Sequence, residues 1–239
     1  YEHISMGKDI FTFKQFTVHQ NRCAMKVGTD GVLLGAWADG GMRILDVGTG
    51  TGLIALMMAQ RFATSRVVGV DIDIDACLQA QQNAIESPFA SRLEIVNARL
   101  QDYMPDIRFD SIVSNPPFFM NSLKNPDKQR SVARHTETLS YTDLFHSVKT
   151  LLADTGVFSV VIPAEYVEKF ISEGCIAGLF LNRKIGIEMI KGQPVKRYLL
   201  AFGRHEWEAL VTMTVCIHHE NGTLSDWYDQ LTCEFYLKK

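Results

Sequence analysis

The sequence predicts an α/β protein: a mostly parallel sheet with helices on both faces and an antiparallel C-terminal edge. Three observations predict it. Short β-branched runs, each ended by Gly, Pro or a charge, alternate with helix-like stretches over residues 43–179. The first of these runs empties into a glycine-rich loop that opens directly into a helix. After Arg183, three strand-like runs follow with no room for crossover helices between them, so antiparallel pairing is expected there.

The elements read in order as follows. Residues 1–40 are expected to form a cover over the ligand-binding edge of the sheet, too short to be a domain. Within them the turn Gly28-Thr29-Asp30-Gly31 precedes an apolar, helix-like run. Residues 41–239 form the domain proper. Arg43–Val47, Arg66–Val70, Arg92–Val96, Asp110–Ser114 and Val157–Ile162 read as buried strands, because they are brief, apolar and β-branched. Between them Leu53–Phe62, Asp75–Ser87, Thr142–Ala153 and Ala164–Leu179 read as helices. Arg183–Ile190, Arg197–Phe202 and Ala209–Ile217 read as the closing strands.

The bulk composition narrows the class. With 239 residues, 46% of them hydrophobic, the chain can bury a sizeable core. No apolar run approaches the roughly 20 residues that span a bilayer, so no membrane partner is expected. The opening Tyr1-Glu2-His3-Ile4-Ser5 is mixed and polar, unlike a secretory signal. The cysteines at 23, 77, 175, 216 and 233 are odd in number and have no C-x-x-C spacing, which predicts a reduced, cytoplasmic chain. Cys216, His218 and His219 end a strand-like run and lack a second ligand pair, so no metal is expected. A monomer is the expected state. The net charge of −3 does not announce a nucleic-acid binder. Its distribution is more informative. Lys124, Lys128, Arg130 and Arg134 crowd residues 121–135, and a second basic stretch contains Lys196 and Arg197. Such stretches can track a phosphate backbone, although charge alone fits an ordinary solvated face as well.

The glycine loop carries the first chemical signal. Asp46-Val47-Gly48-Thr49-Gly50-Thr51-Gly52 joins the first domain strand to its helix. Glycines there allow positive φ and close backbone approach to a ligand, and the helix N-terminus adds free N–H groups. The dinucleotide fingerprint G-x-G-x-x-G fails, because its third glycine falls on Leu53. Asp46, beneath the loop, can receive a cationic amino group and would repel a pyrophosphate. Asp71 ends the second strand, followed by Ile72, and can take both hydrogen bonds of a ribose diol. An amino group with a ribose suits S-adenosylmethionine better than a dinucleotide.

The second signal follows the fourth strand, at Asn115-Pro116-Pro117-Phe118. Two prolines give a stiff turn, and Asn115 before them is pushed to an extended conformation. The Asn115 side-chain oxygen and the Pro116 carbonyl can each accept one N–H bond from a planar amino group. They would aim its delocalised lone pair at an electrophilic methyl. Phe118 can stack on a planar substrate.

These residues resemble the class I methyltransferases, and within them the amino-methyltransferases bearing N-P-P-[YF], over roughly residues 40–203. The front segment, Phe11 to Phe16 and then Cys23 to Trp37, makes the resemblance narrower. It is similar to the opening of the bacterial tRNA1(Val) (adenine-37-N6)-methyltransferases. The resemblance implies a Rossmann-like fold with a seven-stranded sheet, S-adenosylmethionine as methyl donor, a tRNA substrate, and transfer to N6 of the adenine beside the anticodon. It implies that Asp46, Gly48, Gly50 and Gly52 meet the methionine part and Asp71 the ribose. Gly28, Thr29 and Asp30 would lie against the cofactor with Lys26 nearby, and Asn115 to Phe118 would hold the adenine. One departure is visible: Arg99 stands where many class I enzymes carry an acid for the cofactor's adenine. That contact is expected from backbone groups or from Asp102, with Ile72, Arg99 and Leu100 among the expected cofactor-binding residues.

The competing reading is methylation of a glutamine amide in a protein release factor. Enzymes of that kind carry a helical substrate domain, and only about 40 residues precede the first domain strand here. A guanine-N2 or DNA adenine-N6 methyltransferase shares the same tetrapeptide logic. A tRNA-binding protein without turnover would have no use for an intact Asn115–Phe118.

Overall fold

The computed structural model describes residues 9–23, 25–116 and 139–237. A small antiparallel hairpin, β1 (Ile10–Thr12) with β2 (Thr17–His19), precedes α1 (Thr29–Trp37). Then follow β3 (Arg43–Val47), α2 (Leu53–Arg61), β4 (Arg66–Asp71), α3 (Ile74–Glu86), β5 (Leu93–Asn97) and β6 (Phe109–Ser114). The described chain resumes ahead of α4 (Tyr141–Leu151), β7 (Leu152–Pro163), α5 (Val167–Ile176), β8 (Phe180–Ile190), β9 (Arg197–Gly203), β10 (Val211–His218) and α6 (Asp226–Thr232).

Eight strands form one sheet in the order β10-β8-β9-β7-β6-β3-β4-β5. Its central strands β3, β4 and β6 are largely apolar and buried because both faces are covered there. Along β6, Val113 packs on one side with α1 and α2, and Ile112 on the other with α4 and α5. Leu45 and Ile44 divide in the same way along β3. Strand alternation thus feeds two separate cores from one apolar run. Helix α1 lies close on α2: a Cβ at Gly35 would stand 2.8 Å from Met57 Sδ, so a larger residue there would have to displace the Met57 side chain. Asp73 caps α3 by accepting from Asp75 N, and Ser140 caps α4 by accepting from Asp143 N.

The expected antiparallel pairing on the C-terminal side is present, through β9, and two details differ. The sheet has eight strands, not seven. Its outer C-terminal strand is also parallel to its neighbour: β10 runs alongside β8 with Val211 opposite Arg183. The antiparallel strand is β9, which lies between β7 and β8. The reason is topological. β9 itself returns the chain to the start of β8, so β10 can run parallel to β8 without a crossover helix. The intervening turn is fixed by Trp207 N donating to Asn182 Oδ1 and by the Arg183 guanidinium, 4.5 Å from the Trp37 ring and 5.8 Å from the Trp207 ring.

Candidate active site

The sheet order reverses direction at β3, which has β4 and β5 on one side and β6 and β7 on the other. Ligands of open α/β sheets bind at the carboxyl ends beside such a switch point. Val47 pairs with Ser114, so the glycine loop and Asn115 leave adjacent parallel strands at the same level. The Ser114 hydroxyl donates to Val47 O at 3.0 Å and ties the two exits together.

Two carboxylates shape the loop from below and beside it. Asp46 is fully buried; its Oδ2 accepts from Thr49 Oγ1 at 2.7 Å and from Ala55 N at 3.1 Å. Its Oδ1 has no hydrogen-bond partner among the described residues. Burial pushes the Asp46 carboxyl up to about 7; the bonds from Thr49 and Ala55 oppose the rise, and the nearby Asp71 charge adds to it. Asp71 closes β4 and accepts from Gly50 N at 2.8 Å and from Asp73 N at 3.0 Å. Burial raises its carboxyl as well, and those two N–H bonds hold it back. The loop adopts φ of +69° at Gly48, +55° at Gly50 and +80° at Gly52. At Gly48 a Cβ would meet no atom within 4 Å, so the turn needs glycine for its backbone angle and leaves the space before it open.

A cavity of about 640 Å³ opens above this loop. Gly48 to Thr51 form its floor, the N-terminal end of α1 from Gly28 to Gly31 one side, and Asn115 another. The far rim comes from the β8–β9 hairpin through Met189, Lys196 and Arg197. Met25 and Lys26 complete it, with Lys26 Nζ 3.9 Å from Asp9. Asn115 Oδ1 is buried and has no hydrogen-bond partner among the described residues, while its Nδ2 lies 3.8 Å from Met25 Sδ. Arg197 Nε meets Asp30 Oδ2 at 2.8 Å, joining two rims of the cavity.

Residues 28–172 match the methyltransferase small domain family. Over 237 residues the chain is 46% identical to a tRNA1(Val) (adenine(37)-N6)-methyltransferase of Parabacteroides distasonis, covering 98% of this chain and all of that protein. A protein of the same name from Phocaeicola vulgatus is 48% identical over 234 residues, covering 97% and 99%. The chain belongs to this methyltransferase family. Solved structures agree on the fold. An Agrobacterium tumefaciens protein described as an O-methyltransferase superposes with a TM-score of 0.65 at 18% identity, over 86% of this chain and 96% of that one. A glycopeptide N-methyltransferase complexed with S-adenosylmethionine gives 0.56 at 12% identity, over 75% and 100%.

The structure brings together Lys26, Gly28, Thr29, Asp30, Gly48, Gly50, Asn115, Lys196 and Arg197 around the one cavity. Asp46 and Gly52 lie below its floor rather than in its wall, and Pro116 is buried behind Asn115. Asp71, Ile72, Arg99 and Leu100 follow the same carboxyl edge toward β5, where Ala98 N donates to Asp71 O and Arg99 faces Asp102 at 3.8 Å. Pro117, Phe118, Lys124, Lys128, Arg130 and Arg134 lie outside the described residues. Sequence reasoning missed Met189, which carries no signal beyond its place in an apolar strand. It also placed Asp30 and Arg197 in different roles, whereas the fold pairs them.

Proposed function

We propose that the protein transfers a methyl group from S-adenosylmethionine to the exocyclic N6 of adenine 37, beside the anticodon of tRNA1(Val). The observation that carries this reading is the buried, unpartnered Asn115 Oδ1 in the wall of the cavity floored by the glycine loop. A buried acceptor without a donor costs free energy unless a ligand supplies one. The N–H of a planar amino group is such a donor. Near-full-length likeness to proteins named for this reaction supports the choice of substrate.

The residues present fit the cofactor. The open space before Gly48 suits a ligand pressed against backbone, and the unpartnered Asp46 Oδ1 suits an ammonium reaching through the loop. Gly48, Gly50 and Gly52 would hold the methionine part over Asp46, Asp71 the ribose, and Ile72 with the backbone at Arg99 and Leu100 the adenine. When bound, S-adenosylmethionine supplies an electrophilic methyl on a sulfonium sulfur. Asn115 Oδ1 accepts one N6–H, and the Pro116 carbonyl is the candidate for the other. This draws the lone pair out of the ring and favours the tetrahedral nitrogen of the transition state. The N6 proton becomes acidic as the N–C bond forms and leaves to solvent, so no strong base is required.

Mass analysis of nucleosides from unmodified tRNA1(Val), incubated with protein and S-adenosylmethionine, should show N6-methyladenosine. Methyl groups on guanosine, or on a release-factor glutamine instead of RNA, would sink the assignment. A second expectation concerns the ribose. Asp71→Ala should weaken S-adenosylmethionine binding about tenfold or more, since it removes a charged acceptor and frees the Gly50 N–H. Unchanged affinity in calorimetry would move Asp71 to a purely loop-shaping role.

A further inference from the structure

We infer that Asp30 is a positioning residue: it holds Arg197, which together with Lys196 clamps the phosphate of the nucleotide whose base enters beside Asn115. The inference rests on the RNA reading above and assigns the part of the cavity that the methyl transfer does not use.

Arg197 opens β9, and the backbone of Lys196 just before it is pinned on both sides. Lys196 N donates to Ile187 O at 2.9 Å, and Ala164 N donates to Lys196 O at 3.1 Å. The guanidinium is then fixed at two of its three nitrogens. Nη1 donates to Lys196 O at 2.9 Å, and Nε donates to Asp30 Oδ2 at 2.8 Å across the cavity. Nη2 has no partner among the described residues. Neither does the exposed Lys196 ammonium. A guanidinium held at Nε and Nη1 presents Nη2 in a fixed plane, a charged donor that suits a phosphate oxygen.

The charge balance points to the same ligand. Three cationic side chains and one carboxylate line the cavity of a chain whose net charge is −3; Lys26 also faces Asp9, which leaves Lys196 as the excess charge. S-adenosylmethionine carries a net positive charge, and its single carboxylate needs at most one of these cations. A polyanion entering the same mouth would be held by them. The Asp30–Arg197 pair is about a third exposed on the arginine side and a quarter on the aspartate side, too solvated to stand as a major contributor to stability. Its distinctive effect is to set where the guanidinium points.

The test is a set of titrations of labelled, unmodified tRNA1(Val) at several salt concentrations. Lys196→Met and Arg197→Met should each weaken binding about tenfold and lower the salt slope by about one. For Lys196→Met the KM for tRNA should rise with kcat nearly unchanged. Asp30→Ala separates positioning from bulk charge. Removing a carboxylate near RNA tightens binding if only net charge counts; loss of positioning weakens it, by an expected three- to tenfold, an order-of-magnitude estimate. S-adenosylmethionine affinity, measured by calorimetry, should hold in both Met variants; in Asp30→Ala the same measurement separates a cofactor contact from the positioning role. Tighter or unchanged tRNA binding by Asp30→Ala would overturn the positioning role. Unaltered salt slopes in both Met variants would overturn the phosphate clamp, and a loss of cofactor affinity in Asp30→Ala would return that residue to the cofactor. Should Arg197→Met fail to fold, the exposed Lys196 still tests the clamp. Wild-type protein that neither binds nor methylates tRNA would overturn the proposed function itself, an outcome distinct from each of these.

Discussion

Asn115→Ala is expected to lower turnover about a hundredfold or more, the usual cost of removing one preorganised group at a reacting centre. S-adenosylmethionine affinity and thermal stability should stay near wild type. The structure makes this combination a sharp one. Among the described residues Asn115 Oδ1 makes no hydrogen bond, and Nδ2 has only a long contact with Met25 Sδ. Truncation therefore removes little that holds the native state together, so a loss of rate cannot be ascribed to unfolding. It removes the acceptor that aligns the substrate amino group, whose lone pair is otherwise spread into the ring. Single-turnover rates with saturating tRNA, set beside a melting curve and a cofactor titration, check all three expectations. Near-normal turnover would reduce the tetrapeptide to a strand-ending turn.

What was legible in the sequence is what local pattern encodes. The buried parallel strands announce themselves as short apolar runs, and β3 begins and ends at the expected Arg43 and Val47. The two strand exits that matter, at Gly48 and Asn115, follow from those boundaries, because neighbouring parallel strands in register release their loops at the same edge. Three features were not legible, each for a physical reason. The parallel pairing of β10 depends on which side of β8 the chain takes after β9, and no local periodicity records that. The ion pair of Asp30 with Arg197 spans 167 positions; charge density marked the arginine as cationic surface without saying which carboxylate would face it. Asp46 was placed correctly under the loop by spacing. Its complete burial and unpartnered Oδ1 depend on how tightly Thr49 and the start of α2 fold over it.

That burial leads to a large expected effect of pH on the ligand-free protein. Folding raises the Asp46 carboxyl from 3.8 to about 7, so between these values the folded state binds more protons than the unfolded one. Stability must then fall as pH rises through this window: the contribution is fully present below about pH 4 and lost as the folded group ionises near pH 7. Asp71, raised by burial in the same direction, adds to the slope. A shift of this size corresponds to stability on the order of a few kcal/mol. Asp46→Asn removes the titration while keeping an oxygen for Thr49 and Ala55. Its stability relative to wild type should therefore climb steadily from pH 4 to pH 8. Denaturant midpoints of the two proteins, measured across that range without cofactor, give the difference directly and cancel the titrations they share. Parallel curves would mean that Asp46 ionises in the folded protein as readily as in water. The unpartnered Oδ1 would then already be solvated, and an incoming ammonium would gain nothing by reaching it.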